Sequence, residues 1–499
     1  MIRKAVFAVL VALLLAGASA FGQGPCAGAN SKLACVIPQE YGADQPFAFS
    51  QQGLFRFQNH EGHFDASILN AFRPLTADIG RQANLLPLAS PSSGFVLTYD
   101  PSLKTFVTSN DSLGPVLGER AETVGRHRIF VGFSYQFFNF NKIDGVDLHN
   151  IPVVLTHADD SQDNPGTTCS ITGANNINRC AFVRDVVSTA TSIDLKVSQY
   201  TTYLTFGLTR NIDVSAVIPV ENVRMHVLSD DNIVLGSGTF HAHIWSNCAN
   251  TANPTADPNC LHHVFPDPGI TGDGSKQFNS ASGVGDVVAR VKWNAWHGER
   301  AGVAAGLDMR FPTGDALNYL GSGSYGVKPF AIFSYRARIS PHALVGFEWN
   351  TDSIAAGDLG TGTKAKVPND FAYSVGADAW ITKWLTGSFD IIGQKILSTQ
   401  QVIGSQTFGT QKLSVVSQQF LANCGTCTAD PTPNTVARNN LSLSTNAVSY
   451  NITNASMGVK IRPLGALSKL VVTANVLVRL DEGGLSYRPV PLVGVGYTF

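Results

Sequence analysis

From Arg128 to the last residue, apolar and polar side chains take turns along the chain, and that period of two leaves few folds open. The clearest run is Val303 to Phe311. Val303, Ala305, Leu307, Met309 and Phe311 fall on one side, and Ala304, Gly306, Asp308 and Arg310 on the other. Successive strand side chains point to opposite faces, so each such run is a strand with one greasy and one wetter face. The same alternation recurs from Val131, Ile212, Val287, Ala343, Phe371, Leu385, Ala455 and Leu470. In the run opened by Ile193, Leu195 and Val197 it slips near Gln199. The chain ends on one more run, in which Val493, Val495, Tyr497 and Phe499 oppose Leu492, Gly494, Gly496 and Thr498. Two architectures accept strands like these: a soluble two-sheet sandwich or a closed barrel.

The connections separate the two. They run long, short, long, short along the chain until a small last loop near Gly483. A sandwich has no reason to segregate its loops by length. A bacterial membrane barrel does, with short periplasmic turns and longer external loops. Composition agrees, since charged residues are 14% of the chain against about 25% in ordinary globular proteins. Arg3 and Lys4, the apolar run Ala5–Ala16 and Ala18-Ser19-Ala20 read as a cleaved export signal over 1–20. No later stretch has the about 18 apolar residues of a membrane helix, so a spanning fold must be a closed barrel. The expected fold is therefore all-β: an antiparallel transmembrane β-barrel of about twelve strands, with fourteen left open, and an N-terminal plug-like segment. Residues 128–499 form the barrel. Residues 21–127 lack long alternating runs and read as a periplasmic segment or a plug. Within them, 65–88 has helical spacing and 94–109 is a short hairpin turning at Asp100-Pro101. Trp293, Trp296, Trp380 and Trp384 fall near the short-turn end, as an aromatic girdle would.

The cysteines lie in neighbouring pairs: Cys26 and Cys35, Cys169 and Cys180, Cys248 and Cys260, Cys424 and Cys427. In an exported chain that pattern suggests local disulfides that staple loops. A redox or zinc role for the Cys424–Cys427 pair lacks a second CxxC.

The wetter faces carry Asp286, Arg290, Lys292, Asp308, Arg310, Glu348, Asp378, Asp390, Lys460, Arg462 and Arg479. These are the candidate lumen-lining residues. Both signs are present, so they either tune passage or pair across strands to hold a plug. A net charge of −1 creates no field for nucleic acid. Gly321–Gly326 matches GxGxxG, but a strand follows where a nucleotide-binding helix should start. His241, His243, His262 and His263, and His157 with Asp159, Asp160 and Asp163, fit no metal-binding spacing. No catalytic motif appears. The sequence thus points to neither an enzyme nor a cofactor.

Two resemblances follow from particular residues. A final strand ending Tyr497-Thr498-Phe499 resembles the C-terminal assembly signal of bacterial outer-membrane barrels, which implies barrel-assembly machinery and outer-membrane lipid as partners. The stretches Phe206–Pro219, Ser282–Asp286, Asp308–Asp315 and Gly326–Phe330 resemble the FadL-like outer-membrane transporters, including the phenol-degradation meta-pathway family. That resemblance covers roughly 120–350 and the last strand. It implies passive uptake of a hydrophobic or aromatic small molecule through a lumen with an N-terminal hatch. It also implies fourteen strands, where the alternation supports about twelve. The alternatives are a surface binding or structural barrel with a sealed lumen, and a general porin.

Overall fold

The computed structural model describes residues 32–40, 79, 97–100, 105–108, 112–156, 186–234, 276–359, 362–405, 408–412, 435–438, 442–463 and 469–499. Twelve strands make the wall: β1 (Ile129–Ile143), β2 (Val186–Gly207), β3 (Ile212–Val234), β4 (Val287–His297), β5 (Ala301–Phe311), β6 (Gly326–Tyr335), β7 (Ile339–Asn350), β8 (Asp370–Thr382), β9 (Leu385–Ser405), β10 (Ser442–Ile461), β11 (Leu470–Arg479) and β12 (Val490–Thr498). Each pairs antiparallel with the next. The ring closes because β1 pairs with both β2 and β12. Closure leaves no open edge, which a wall surrounded by hydrocarbon cannot tolerate.

The alternation of the sequence is the alternation of the wall. Outward rows are exposed and apolar: Val303, Leu307 and Met309 on β5, Val493 and Val495 on β12, Phe371 and Val375 on β8. In a closed antiparallel barrel this is a lipid-facing surface, and it places the protein in the bacterial outer membrane. No helix among the described residues is long and apolar enough to cross a membrane. Of the expected girdle, Trp293, Trp296 and Trp384 are exposed near the short turns. Trp380 departs from it: its indole nitrogen is enclosed, and it lies in the inward row of Asp378 two residues along.

The fourteen-strand alternative is settled by the short hairpin. Leu97–Asp100 and Thr105–Thr108 pair with each other in a separate two-stranded sheet, outside the ring. Four strands are longer than their alternation suggested: β2 has 22 residues, β3 23, β9 21 and β10 20. A tilted membrane strand needs about ten. The surplus projects as hairpins at the long-loop end, where the outward face meets water and no longer needs a greasy row. Nor does β2 slip at Gln199. Its inward row simply changes from Ile193, Leu195 and Val197 to Gln199, Thr201 and Thr205, all buried.

Among the described residues one α-helix is defined end to end, α1 (Leu33–Glu40), and it packs against β3 and the strand Lys276–Val284. Leu33, Val36 and Ile37 sit at helical spacing and are fully buried in the largest apolar cluster. Of the helix expected over 65–88, only Ile79 is among the described residues; it is helical and buried in the same cluster. Residues 1–20 lie outside the described residues, as do seven of the eight cysteines and the histidine clusters at 157 and 241–263. Cys35 is the one described cysteine, and it is not free.

Candidate functional site: the barrel lumen

The lumen is crossed near its short-turn end by residues 112–125. This strap contains Gly114, Pro115, Gly118 and Gly125 and adopts neither helix nor strand. Its backbone polar groups are buried, so each needs a partner from elsewhere. The inward side chains of the wall supply many of them. Lys460 Nζ donates to the carbonyls of Leu113 and Pro115 at 3.2 and 2.5 Å. Lys292 Nζ donates to the carbonyls of Arg120 and Glu122 at 3.2 and 2.7 Å, and to Glu119 Oε1 at 3.0 Å. Asn294 donates to the Ala121 carbonyl. In return the strap amides of Leu113, Ala121 and Val124 donate to Thr386, Ser334 and Asp213.

Charge holds the strap as well. Arg120 makes a two-pronged contact with Asp378 at 2.9 and 2.5 Å, and the Ser112 hydroxyl donates to the same carboxylate. His342 lies between Asp378 and Asp390, with Nε2 2.6 Å from Asp390. Gly118 passes directly over this group. A Cβ there would stand 2.5 Å from both Asp390 Oδ1 and His342 Nε2, so only glycine lets the strap lie so close.

A second chain of charges runs along the inside of β4 to β7 with alternating sign. Glu119 of the strap meets Arg290 at 3.0 Å, and Arg290 meets Asp308 at 2.6 Å. Lys328 lies 3.6 Å from Asp308 and 3.4 Å from Glu348. Arg310 then joins Glu348 at 3.0 Å to Asp286 at 3.3 Å. The Arg290 guanidinium also stacks 4.8 Å from the centre of the Phe330 ring. Each charge in this chain has an opposite partner, so the chain presents no unpaired sign to select an ion.

Ten of the eleven lumen candidates therefore lie on the inside. Arg479 is one of them, at the long-loop rim, where it holds the 480–489 loop through Asp481 and the Gly483 carbonyl. Arg462 is not: it lies beyond the end of β10 and donates to the Lys383 carbonyl in a short turn, where period two no longer fixes a direction. The reading from spacing missed Lys328, His342, Asp213 and Glu221, although each keeps the inward parity of its strand. It also missed the strap charges Glu119, Arg120 and Glu122, which lie in a segment with no period at all.

The loop between β5 and β6 folds over the long-loop half. Asp286 accepts from the Gly314 and Ser322 amides and the Ser322 hydroxyl. Thr313 bridges the Gly285 carbonyl and the Val287 amide. Asp315 caps a short turn of helix at Ala316–Asn318 and pairs with Lys32 at 2.6 Å. Asn318 in turn accepts from the Leu33 amide at the start of α1. So Ser282–Asp286 and Asp308–Asp315, distant in sequence, form one inturned latch, and the GxGxxG glycines bend that loop. No group of potential metal ligands forms among the described residues.

Above the strap, towards the long loops, the lumen is apolar. Phe138, Phe140, Val197, Val223, Met225 and Tyr487 line it, with α1 packed among them.

Comparison with known proteins adds the following. A search of curated proteins found no match. Among solved structures, an outer membrane channel from Pseudomonas putida F1 is 10% identical, with 77% of this chain and 99% of that one covered and a TM-score of 0.40. A FadL homologue of Pseudomonas aeruginosa is 12% identical over 82% and 96% of the two chains, with a TM-score of 0.27. The toluene transporter of Ralstonia pickettii is 9% identical over 75% and 88%, with a TM-score of 0.22. The family model described as "Putative MetA-pathway of phenol degradation" matches residues 192–409, a stretch that begins later and ends later than the motifs suggested. The stretch so matched runs from β2 to the long-loop end of β9, so the wall of this barrel is similar there to the phenol-degradation MetA-pathway family.

Proposed function

We propose that this barrel is a passive uptake channel for hydrophobic or aromatic small molecules, with residues 21–127 serving as its hatch. The observation that carries this reading is the apolar lining of the long-loop half of the lumen. A general porin keeps a wet passage, and Phe138, Phe140, Val223 and Met225 would obstruct one. Twelve strands leave an interior wider than the packed eight-stranded barrel and narrower than the sixteen-stranded aqueous pore. In that interior the strap and α1 would govern access. Export by a signal at 1–20, local pairing of the cysteines and insertion by the barrel-assembly machinery complete the proposal.

Toluene and phenol uptake by a strain lacking the protein, against the complemented strain, tests this reading. Loss of uptake with unchanged entry of sugars supports it. Sugar entry that falls while aromatic uptake stays level overturns it. The neutralised lumen charges and the docked strap favour a second reading, a sealed surface barrel. Absence of conductance even after deletion of 21–127 would select that one.

A further inference from the structure

The floor of the apolar chamber is a single polar rung. Backbone register sets Gln136 of β1 opposite Gln199 of β2, and Gln199 opposite Glu221 of β3. Gln136 Nε2 donates to Gln199 Oε1 at 3.2 Å, and Gln199 Nε2 donates to Glu221 Oε1 at 3.0 Å. All three side chains are buried, with Glu221 only 3% exposed. The relay ends there. Among the described residues Glu221 Oε2 has no hydrogen-bond partner, and Glu221 takes part in no ion pair. Asp286, Asp308, Glu348 and Asp378 each face an Arg or a Lys. Asp213, the other inward carboxylate of β3, has the Val124 amide of the strap on one oxygen; Glu221 instead borders the chamber, and the next residues along its face towards the long loops are Val197 and Val223.

A buried carboxylate oxygen without a donor weakens the fold. Glutamine or leucine would hold that place at lower cost, and nothing in the wall requires the charge. Its position beneath an apolar chamber gives it another use. We infer that Glu221 sets the ligand preference of this lumen, accepting a hydrogen bond from the uncharged hydroxyl of an otherwise apolar small molecule. The apolar body would lie against Phe138, Val197 and Val223, in space that side chains of α1 now fill. The hydroxyl would point down to Oε2. A cationic amine would have to shed its hydration among these residues, which the chamber does not repay. The inference rests on the uptake reading and adds the polar group that the ligand carries.

Phenol and toluene test it, because they differ by a hydroxyl against a methyl on the same ring. Binding of each to the full-length protein in detergent is measured by titration calorimetry for wild type, Glu221→Leu and Glu221→Gln. The ratio of phenol to toluene affinity should fall about tenfold in E221L, the worth of one hydrogen bond. E221Q leaves its one oxygen with Gln199 and puts an amide N–H at the Oε2 place, so it too should lose most of the preference. A ratio unchanged in E221L overturns the assignment. Independently of any variant's folding, phenol should shift the carboxylate infrared band of the wild-type protein while toluene should not, and identical spectra overturn it too. If both ligands bind equally, Glu221 is not selective and the channel reading stands. If neither binds, both fall.

Discussion

Lys292→Met should unseal the barrel without unmaking it. Lys292 is 2% exposed, and its ammonium makes three contacts with the strap: Glu119 Oε1 at 3.0 Å, the Arg120 carbonyl at 3.2 Å and the Glu122 carbonyl at 2.7 Å. Methionine keeps the length and volume and removes all three. Breaking one side of a buried charged contact costs about 3–5 kcal/mol. Here that cost falls on the docked strap, because the pairing of Lys292 in the wall is made by its backbone, opposite Gly306 and Asp213. The ratio of docked to undocked strap should drop by about 10²–10³-fold. Glu119 keeps Arg290 at 3.0 Å, so the loss is partial and the strap fluctuates instead of leaving. Planar-bilayer recording of the full-length protein is the assay. Wild type should be mostly silent and K292M should show sustained openings. Heat-modifiable migration on gels should stay that of a folded barrel. A folded K292M as silent as wild type would refute the view that the strap closes the short-turn end.

Further outcomes follow from the same contacts. Lys460→Met removes the donor to the Leu113 and Pro115 carbonyls, so combining it with K292M should raise open probability above either single variant in the same recordings. Gly496→Val places a Cβ 2.6 Å from the Phe130 ring across the β12–β1 seam; overpacking of about 1–3 kcal/mol should lower the temperature at which the barrel loses its folded gel mobility. Deleting Phe499, whose amide bonds to the Ile129 carbonyl at 2.8 Å and whose ring packs 4.7 Å from that of Tyr497, should reduce the amount of protein reaching the outer membrane in fractionation blots. Non-reducing peptide mapping should recover Cys26 with Cys35, Cys169 with Cys180, Cys248 with Cys260, and Cys424 with Cys427, and crossed pairs would contradict local stapling.

How much of this was legible in the chain depends on which force fixes each residue. The wall was readable because one constraint, lipid outside and lumen inside, acts at every second position. On β5 the parity of Val303, Leu307 and Met309 against Asp308 and Arg310 survives intact in the structure. Where that constraint lapses, so does legibility. The outer halves of β2, β3, β9 and β10 extend past the length a bilayer requires, and their length was hidden because the outward row there no longer has to be greasy. Helix α1 carries Leu33, Val36 and Ile37 at helical spacing. It was overlooked because eight residues are too few to make a strong period, and Pro38 sits inside them.

The lumen shows the harder limit. Period two assigns a side chain to the inside, but it cannot say whom it meets there. Arg290 reaches Glu119 across 171 positions of sequence and Lys460 reaches Pro115 across 345. The strap residues Glu119, Arg120 and Glu122 lie in an irregular segment whose sequence, Ser112 to Gly125, looks like a linker. Its order comes from the wall, whose lysines and carboxylates replace the partners that a helix or strand would have supplied. A segment held in this way buries Val116, Leu117 and Val124 in the apolar cluster, but its path across the lumen depends on directed polar contacts. Such contacts fix one geometry sharply and are lost almost entirely on a small displacement. The apolar chamber above is closed more simply, since α1 is held mainly by burial of Leu33, Val36 and Ile37, which another apolar occupant can replace. The two closures of this lumen therefore differ in what holds them: a greasy ligand can compete with α1, while releasing the strap also requires breaking its charged and hydrogen-bonded contacts.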